Sequence, residues 1–167
     1  MNKLKAWPVM ALVASLMLVM VPVDGASAST VIHQVTAGTP DYCSALGAKP
    51  GCDANWSLVA LQMADGSVRG QWQDQFSKGT GVHISVNCLN VIGNQAYVSG
   101  VITSSQDPTL VGQSVVTKVV DNGRSANDPP DEIGFTMIGF NLNCNTAPGT
   151  FVDFNVLPVP QGQVVVK

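Results

Sequence analysis

One short stretch gathers the residue types that chemistry would use. Trp72, Asp74 and Phe76 recur at a spacing of two in SVRGQWQDQFS, residues 67–77. On a β-strand that spacing places all three on one side. A carboxylate among aromatic rings has a raised pKa, because burial disfavours its charged form. It can then serve as a general acid or as an anchor for a ligand. The plainer alternative is a hydrogen-bonded aspartate that only supports the strand. Tyr97 with Trp72 and Trp56 could offer flat faces to sugars, against the ordinary role of such rings in a core. Gln71, Gln73 and Gln75 take the other side of the same strand. Such a polar ladder reads as a solvated face or as an interaction surface.

A second cluster lies in DNGRSANDPPDE, residues 121–132. Asp121, Asn122, Asp128 and Asp131 are the candidate ligands, with Asn127 and Glu132 beside them. Calcium takes several hard oxygen ligands from a flexible loop, so the composition suits it. The spacing is not that of an EF-hand: Ala126 stands where that loop needs glycine, and Pro129-Pro130 intervenes. The competing reading is a solvated turn, rich in residues that tolerate turn geometry. Calcium is the one cofactor for which the sequence offers a place.

The two histidines, His33 and His83, suggest no catalytic set. His83 shares a face with Ser85 and Asn87. A Ser-His-Asp hydrolase needs a nucleophile on a defined turn, and no GxSxG elbow is present. There is also no HExxH, no phosphate-binding loop and no dinucleotide-binding glycine pattern.

The elements that must position these residues are strands. Val82, Ile84 and Val86 alternate with His83, Ser85 and Asn87, and Cys88 continues the apolar set. Leu89, Val91 and Ile92 blur the alternation, as a bulge would. Gly93-Asn94 supplies a tight turn, and Ala96, Val98, Gly100 and Ile102 return on one side. Gly100 marks a kink or a close backbone approach. Before this hairpin, residues 57–64 and 67–77 pair through Asp65-Gly66. After it, 113–121, 133–138, 151–156 and 163–166 are further strands. Residues 29–55 are expected to be irregular, with a short strand near Val31, Ile32 and Val35. The total is about eight strands in an all-β antiparallel meander. A barrel is preferred to a two-sheet sandwich, because short turns join successive strands without a crossover.

The N-terminus reads as an export signal. Lys3 and Lys5 precede an apolar run, 6–23, and Ala26-Ser27-Ala28 fits the small-residue cleavage site. A retained membrane anchor is the alternative. Removing 1–28 would leave an irregular segment, 29–55, and a β domain, 56–167. The whole chain has 8 basic and 11 acidic residues, net −3. That balance offers a phosphate backbone no basic surface, so nucleic acid is excluded as a partner. Four cysteines in an exported chain argue for two disulfides. Of the three possible pairings the favoured one joins Cys43 to Cys52, closing a local loop, and Cys88 to Cys144, tying the central strand to a late loop. Zinc is the weaker alternative, since no CxxC pair is present.

The runs ADGSVRGQW, VNCLNVIGNQAYVSGVIT and VVDNGRSANDPPDEI, with the terminal GQVVVK, resemble the post-choice-of-anchor domain of exported bacterial proteins. The resemblance covers roughly residues 56–167. It implies a secreted β-rich module and transfers no enzymatic activity and no functional residue.

The sequence therefore points to a secreted, non-enzymatic binding or interaction module. Its partner would be a protein, a glycan or a small molecule, with no membrane role after cleavage. The alternative is a small-molecule-binding barrel with Trp72, Asp74 and Phe76 facing its cavity, or a small barrel enzyme using Asp74.

Overall fold

A computed structural model describes residues 29–40, 55–77, 80–125, 127–159 and 162–167, save the side chains of Pro40, Phe76, Ser77 and Thr80. The leader expected over 1–28 and the Cys43–Cys52 bond lie outside these residues. Among them, no helix is long and apolar enough to cross a membrane.

The described residues form ten strands: β1 (Val31–Pro40), β2 (Asn55–Met63), β3 (Val68–Ser77), β4 (Thr80–Ile92), β5 (Gln95–Ser105), β6 (Ser114–Val120), β7 (Asp131–Gly134), β8 (Met137–Ile138), β9 (Val156–Val159) and β10 (Gln163–Val166). They make one antiparallel sheet in the order β10-β1-β2-β3-β4-β5-β6-β7-β9, with β8 also beside β6. The sheet is a meander that curls until it nearly closes as a barrel.

The central hairpin follows from its residues. Val82, Ile84 and Val86 are buried while His83, Ser85 and Asn87 are exposed, so the alternation sets the inner face. Between Val86 and Cys88 the β4–β5 register shifts by a bulge. The extra residue moves the inner face onto Leu89 and turns Cys88 outward. Gly93, at φ 63°, makes the turn that other residues rarely adopt. Gly100 sits opposite the bulge, and a Cβ there would lie 2.3 Å from the Ser85 carbonyl oxygen. The strands can bend so closely only because that side chain is absent.

Inside, Val35, Trp56, Leu58, Trp72, Ile84, Val98, Ile102, Val115 and Ile133 fill one apolar core. Each fully buried side chain of this size contributes roughly 1.5–3 kcal/mol. Thr117 also points inward, and its hydroxyl donates to the Gly134 carbonyl at 3.0 Å.

Among the described residues, no backbone ladder joins β10 to the far side of the sheet. On its inner neighbour, β10 pairs with β1 from Val35↔Val166 to Gly38↔Gln163. On the other side, the Val164 N–H donates to Asp131 Oδ2 at 2.7 Å and the Val166 N–H to Asp121 Oδ2 at 3.0 Å. Two carboxylates thus bridge the seam where a neighbouring strand's carbonyls would otherwise stand.

Three expectations change. The segment 29–55 is not irregular throughout: β1 is a ten-residue strand paired on both sides. Its Thr and Gly residues hide the pattern, yet Val35 and Ala37 are buried at the required spacing. Residues 133–138 break into β7 and β8 at Phe135-Thr136, which raises the strand count above eight. FVDF, 151–154, is a 3-10 helix rather than a strand, started by the Thr150 side chain accepting from the Val152 N–H. A polar residue at the N-cap favours that local turn.

Candidate functional site

Trp72 and Asp74 lie on the inner side of β3, as their spacing implies, and Phe76 follows in the same strand with its side chain outside the description. Trp72 is 1% exposed and packs against Trp56, ring centroids 5.7 Å apart. Neither indole N–H has a hydrogen-bond partner. Asp74 is half-buried and accepts from the Thr136 hydroxyl, a bond that reaches from β3 to the β7–β8 connection. Burial pushes its carboxyl up to about 6, against the opposing effect of the Thr136 bond. The space at Asp74 is a dimple of about 110 Å3 shared with Gln75, Gly81 and Gln106. That volume is below the range of ordinary ligand pockets, about 300–1,000 Å3.

The aromatic platform does not assemble. Trp56 and Trp72 face the barrel interior, whereas Tyr97 belongs to a separate cluster on the outer wall with Val116, Cys144 and Val152. Period-two alternation sends Tyr97 outward, since Ala96 and Val98 take the inner side.

The acidic loop is engaged in the protein's own structure. Asp131 accepts from Val164 and, through Oδ1, from the Asn122 N–H at 2.8 Å. Asp121 accepts from Val166 and from the Gly123 N–H at 3.1 Å. Asp128 accepts from the Ser125 N–H at 2.8 Å, and the Asn122 side chain donates to the Pro130 carbonyl at 2.7 Å. Among the described residues no group of three or more His, Cys, Asp or Glu side chains is placed to hold a metal ion. The side chains whose composition suggested calcium accept hydrogen bonds within the turn and across the seam.

The Cys88–Cys144 bond is formed, with Cα atoms 5.7 Å apart. It pins segment 139–155 against the outer wall of β5 and β6. Cys144 is further held by its N–H donating to the Ser99 hydroxyl at 3.2 Å and by its carbonyl accepting from the Asn90 side chain at 3.2 Å. A polar cluster that sequence reading missed completes the attachment. Asp153 accepts from the Tyr97 hydroxyl, from Lys118 Nζ at 3.1 Å and from the Gly149 N–H at 2.7 Å. Lys118 also stands 5.6 Å from the centre of the Tyr97 ring. Burial alone would raise the Asp153 carboxyl, but the bonds from Tyr97, Gly149 and Lys118 and the Lys118 charge outweigh it and hold it below the ordinary range. Burial, with the bond and charge of Asp153, pushes the Tyr97 phenol up to about 12. The only sequence signal was a lysine in an apolar strand, VVTKVV.

A broad concavity lies on the opposite part of the outer wall. It is an open groove of about 760 Å3 crossing β10, β1, β2, β3, β4 and β5. Sheet register explains its make-up. One row of directly paired residues runs Gln163, Gly38, Ser57, Gln73, His83 and Ser104. The next runs Val165, Thr36, Val59, Gln71, Ser85 and Val101. Leu58, Trp72 and Ile84 also border the groove, but their side chains are buried in the core, so the main chain forms the floor. The lining includes no Asp, Glu, Lys or Arg. The glutamine ladder thus divides. Gln75 accepts from the Asn55 side chain at 3.2 Å, whereas Gln71 and Gln73 make no side-chain hydrogen bond among the described residues.

The chain matches no family model, no curated protein and no solved structure in the comparisons made with known proteins.

Proposed function

We propose that the protein is a secreted, non-enzymatic binding module whose ligand surface is the uncharged polar groove across β10 and β1–β5. The observation that carries this reading is the contrast between a filled barrel interior and an outer groove of about 760 Å3 with unpaired glutamine amides. A groove of that size with a few convergent polar groups is what a ligand site requires. The Cys88–Cys144 bond supports an oxidising compartment, in keeping with the leader read from residues 1–28. The likeness to the post-choice-of-anchor module agrees with this and rests on the sequence runs alone.

A second reading places a small molecule inside the barrel. It is favoured by the Trp56 and Trp72 indole N–H groups, two buried donors without acceptors. Catalysis by Asp74 has less support, because its carboxylate is engaged by Thr136 beside a dimple of about 110 Å3.

Screening small polar fragments by amide chemical-shift perturbation separates the readings. The groove reading expects shifts at Ser57, Gln71, Gln73, His83 and Ser85. Shifts centred on the indole N–H signals of Trp56 and Trp72, with the groove silent, would overturn it in favour of the interior.

A further inference from the structure

We infer that the groove takes a neutral polyhydroxylated chain, a polysaccharide segment lying across the strands. The inference rests on the groove being the ligand surface and adds the ligand's class.

Charge is the first argument. No ionised side chain lines the groove, so an anionic or cationic ligand would lose hydration and meet no counter-charge. Nucleic acids and acidic polymers are poorly served by such a surface. The second argument is hydrogen-bond character. A sugar hydroxyl is donor and acceptor at once. Gln71, Gln73, Ser57, Ser85 and His83 each present both roles as well, and the glutamine amides are not already paired. Geometry is the third. The row from Gln163 to Ser104 crosses six strands, about 24 Å at the usual inter-strand spacing. It dips at Gly38, which carries no side chain, and Val59, 46% exposed, gives an apolar spot beside it. A linear chain fits a track of this length. An extended peptide does not, because peptides bind sheets by adding a strand at an edge, and the groove runs crosswise over backbone already paired in the sheet.

The test uses affinity electrophoresis and calorimetry of the folded, disulfide-intact protein. The probes are soluble neutral polysaccharides of differing linkage, acidic polysaccharides and a displayed random-peptide library. The variants are the double substitution Gln71→Ala with Gln73→Ala, and Ser57→Trp, which fills the track; near-ultraviolet dichroism checks that each is folded. The expected result is binding of at least one neutral polysaccharide, weakened about tenfold by the double substitution, as two lost hydrogen bonds would give, and abolished by Ser57→Trp. Binding of an acidic polymer or a peptide that depends on the same residues would overturn the ligand class and leave the groove standing. Binding unaffected by both variants would overturn the groove itself, and absence of binding to every probe would overturn both. Should one variant misfold, the other still decides, since these side chains lie outside the core.

Discussion

His83 and Cys88 stand on the same strand, yet the outer wall around them is finished in opposite ways. Near Cys88 the wall of β5 and β6 is sealed by segment 139–155, held by a disulfide, by Ser99 and Asn90, and by the Tyr97–Lys118–Asp153 cluster. Near His83 the groove across β10 and β1–β5 is open and lined by uncharged side chains. The covered half holds a partly buried ion pair; the groove is lined by no ionised side chain. The covering segment itself has no charged residue between Ile133 and Val152, and it turns Phe140, Phe151 and Phe154 toward water. The difference teaches that the same alternating strands carry a covering segment on one side and an open polar groove on the other. What separates them is the bulge after Val86, which redirects Cys88 to the outer wall.

Opening the covered half should have the largest effect. Replacing Cys88 and Cys144 together with Ser removes a link spanning 56 residues. A loss of about 4 kcal/mol is expected from chain entropy, read as a lower denaturant midpoint. Groove amides should keep their chemical shifts while those of 139–155 move; equal movement in both would mean the halves are one unit.

Asp153→Ala comes next. It strands Lys118 without its partner and should cost about 3 kcal/mol. Because the folded Asp153 pKa lies below its ordinary value, its contribution is present above about pH 4 and is lost as pH falls through the depressed folded value. Stability measured down to about pH 2 should therefore fall less steeply in Asp153→Ala than in the parent protein.

The inner carboxylate behaves in the opposite sense. Asp74 has a folded pKa of about 6, so the folded state keeps its proton where the unfolded chain has released it. Stability should fall as pH rises from about 4 to about 6 and then level off. Asp74→Asn removes that cost and should gain about 2 kcal/mol at pH 8, with the gain vanishing near pH 4 in thermal melts. A variant no more stable at pH 8 than its parent would contradict the burial of this group. The smallest effect belongs to Phe154→Ser. Phe154 is 85% exposed, so the change should stay within about 0.5 kcal/mol while lowering any tendency of the aromatic side to associate.

Much of this architecture was legible from residue spacing. The hairpin through Gly93 and the inward Trp72 and Asp74 follow from period-two alternation and turn chemistry; an even cysteine count implied disulfides, with Cys88–Cys144 in the favoured one of three pairings. The groove was not legible, because Ser57, Gln73 and His83 become neighbours only through the pairing register, and one residue of slippage would separate them. For Tyr97 the ordinary packing role holds, but on the outer wall, because parity places it opposite Ala96 and Val98. The strand β1 was expected too short because Thr and Gly residues carry little pattern, although tertiary pairing on both sides extends it to Pro40. The seam escaped for a related reason: turn-rich composition cannot tell a metal ligand from an acceptor for a distant main-chain N–H.

The placement of Asp121 and Asp131 has one more consequence. A β-sheet with a free margin invites a second molecule to zip onto it, and aggregation begins there. In β10 the N–H groups of Val164 and Val166, which a stray chain would need, are already occupied by carboxylates from the same molecule. The pair thus removes from that margin two donors that a second molecule would need.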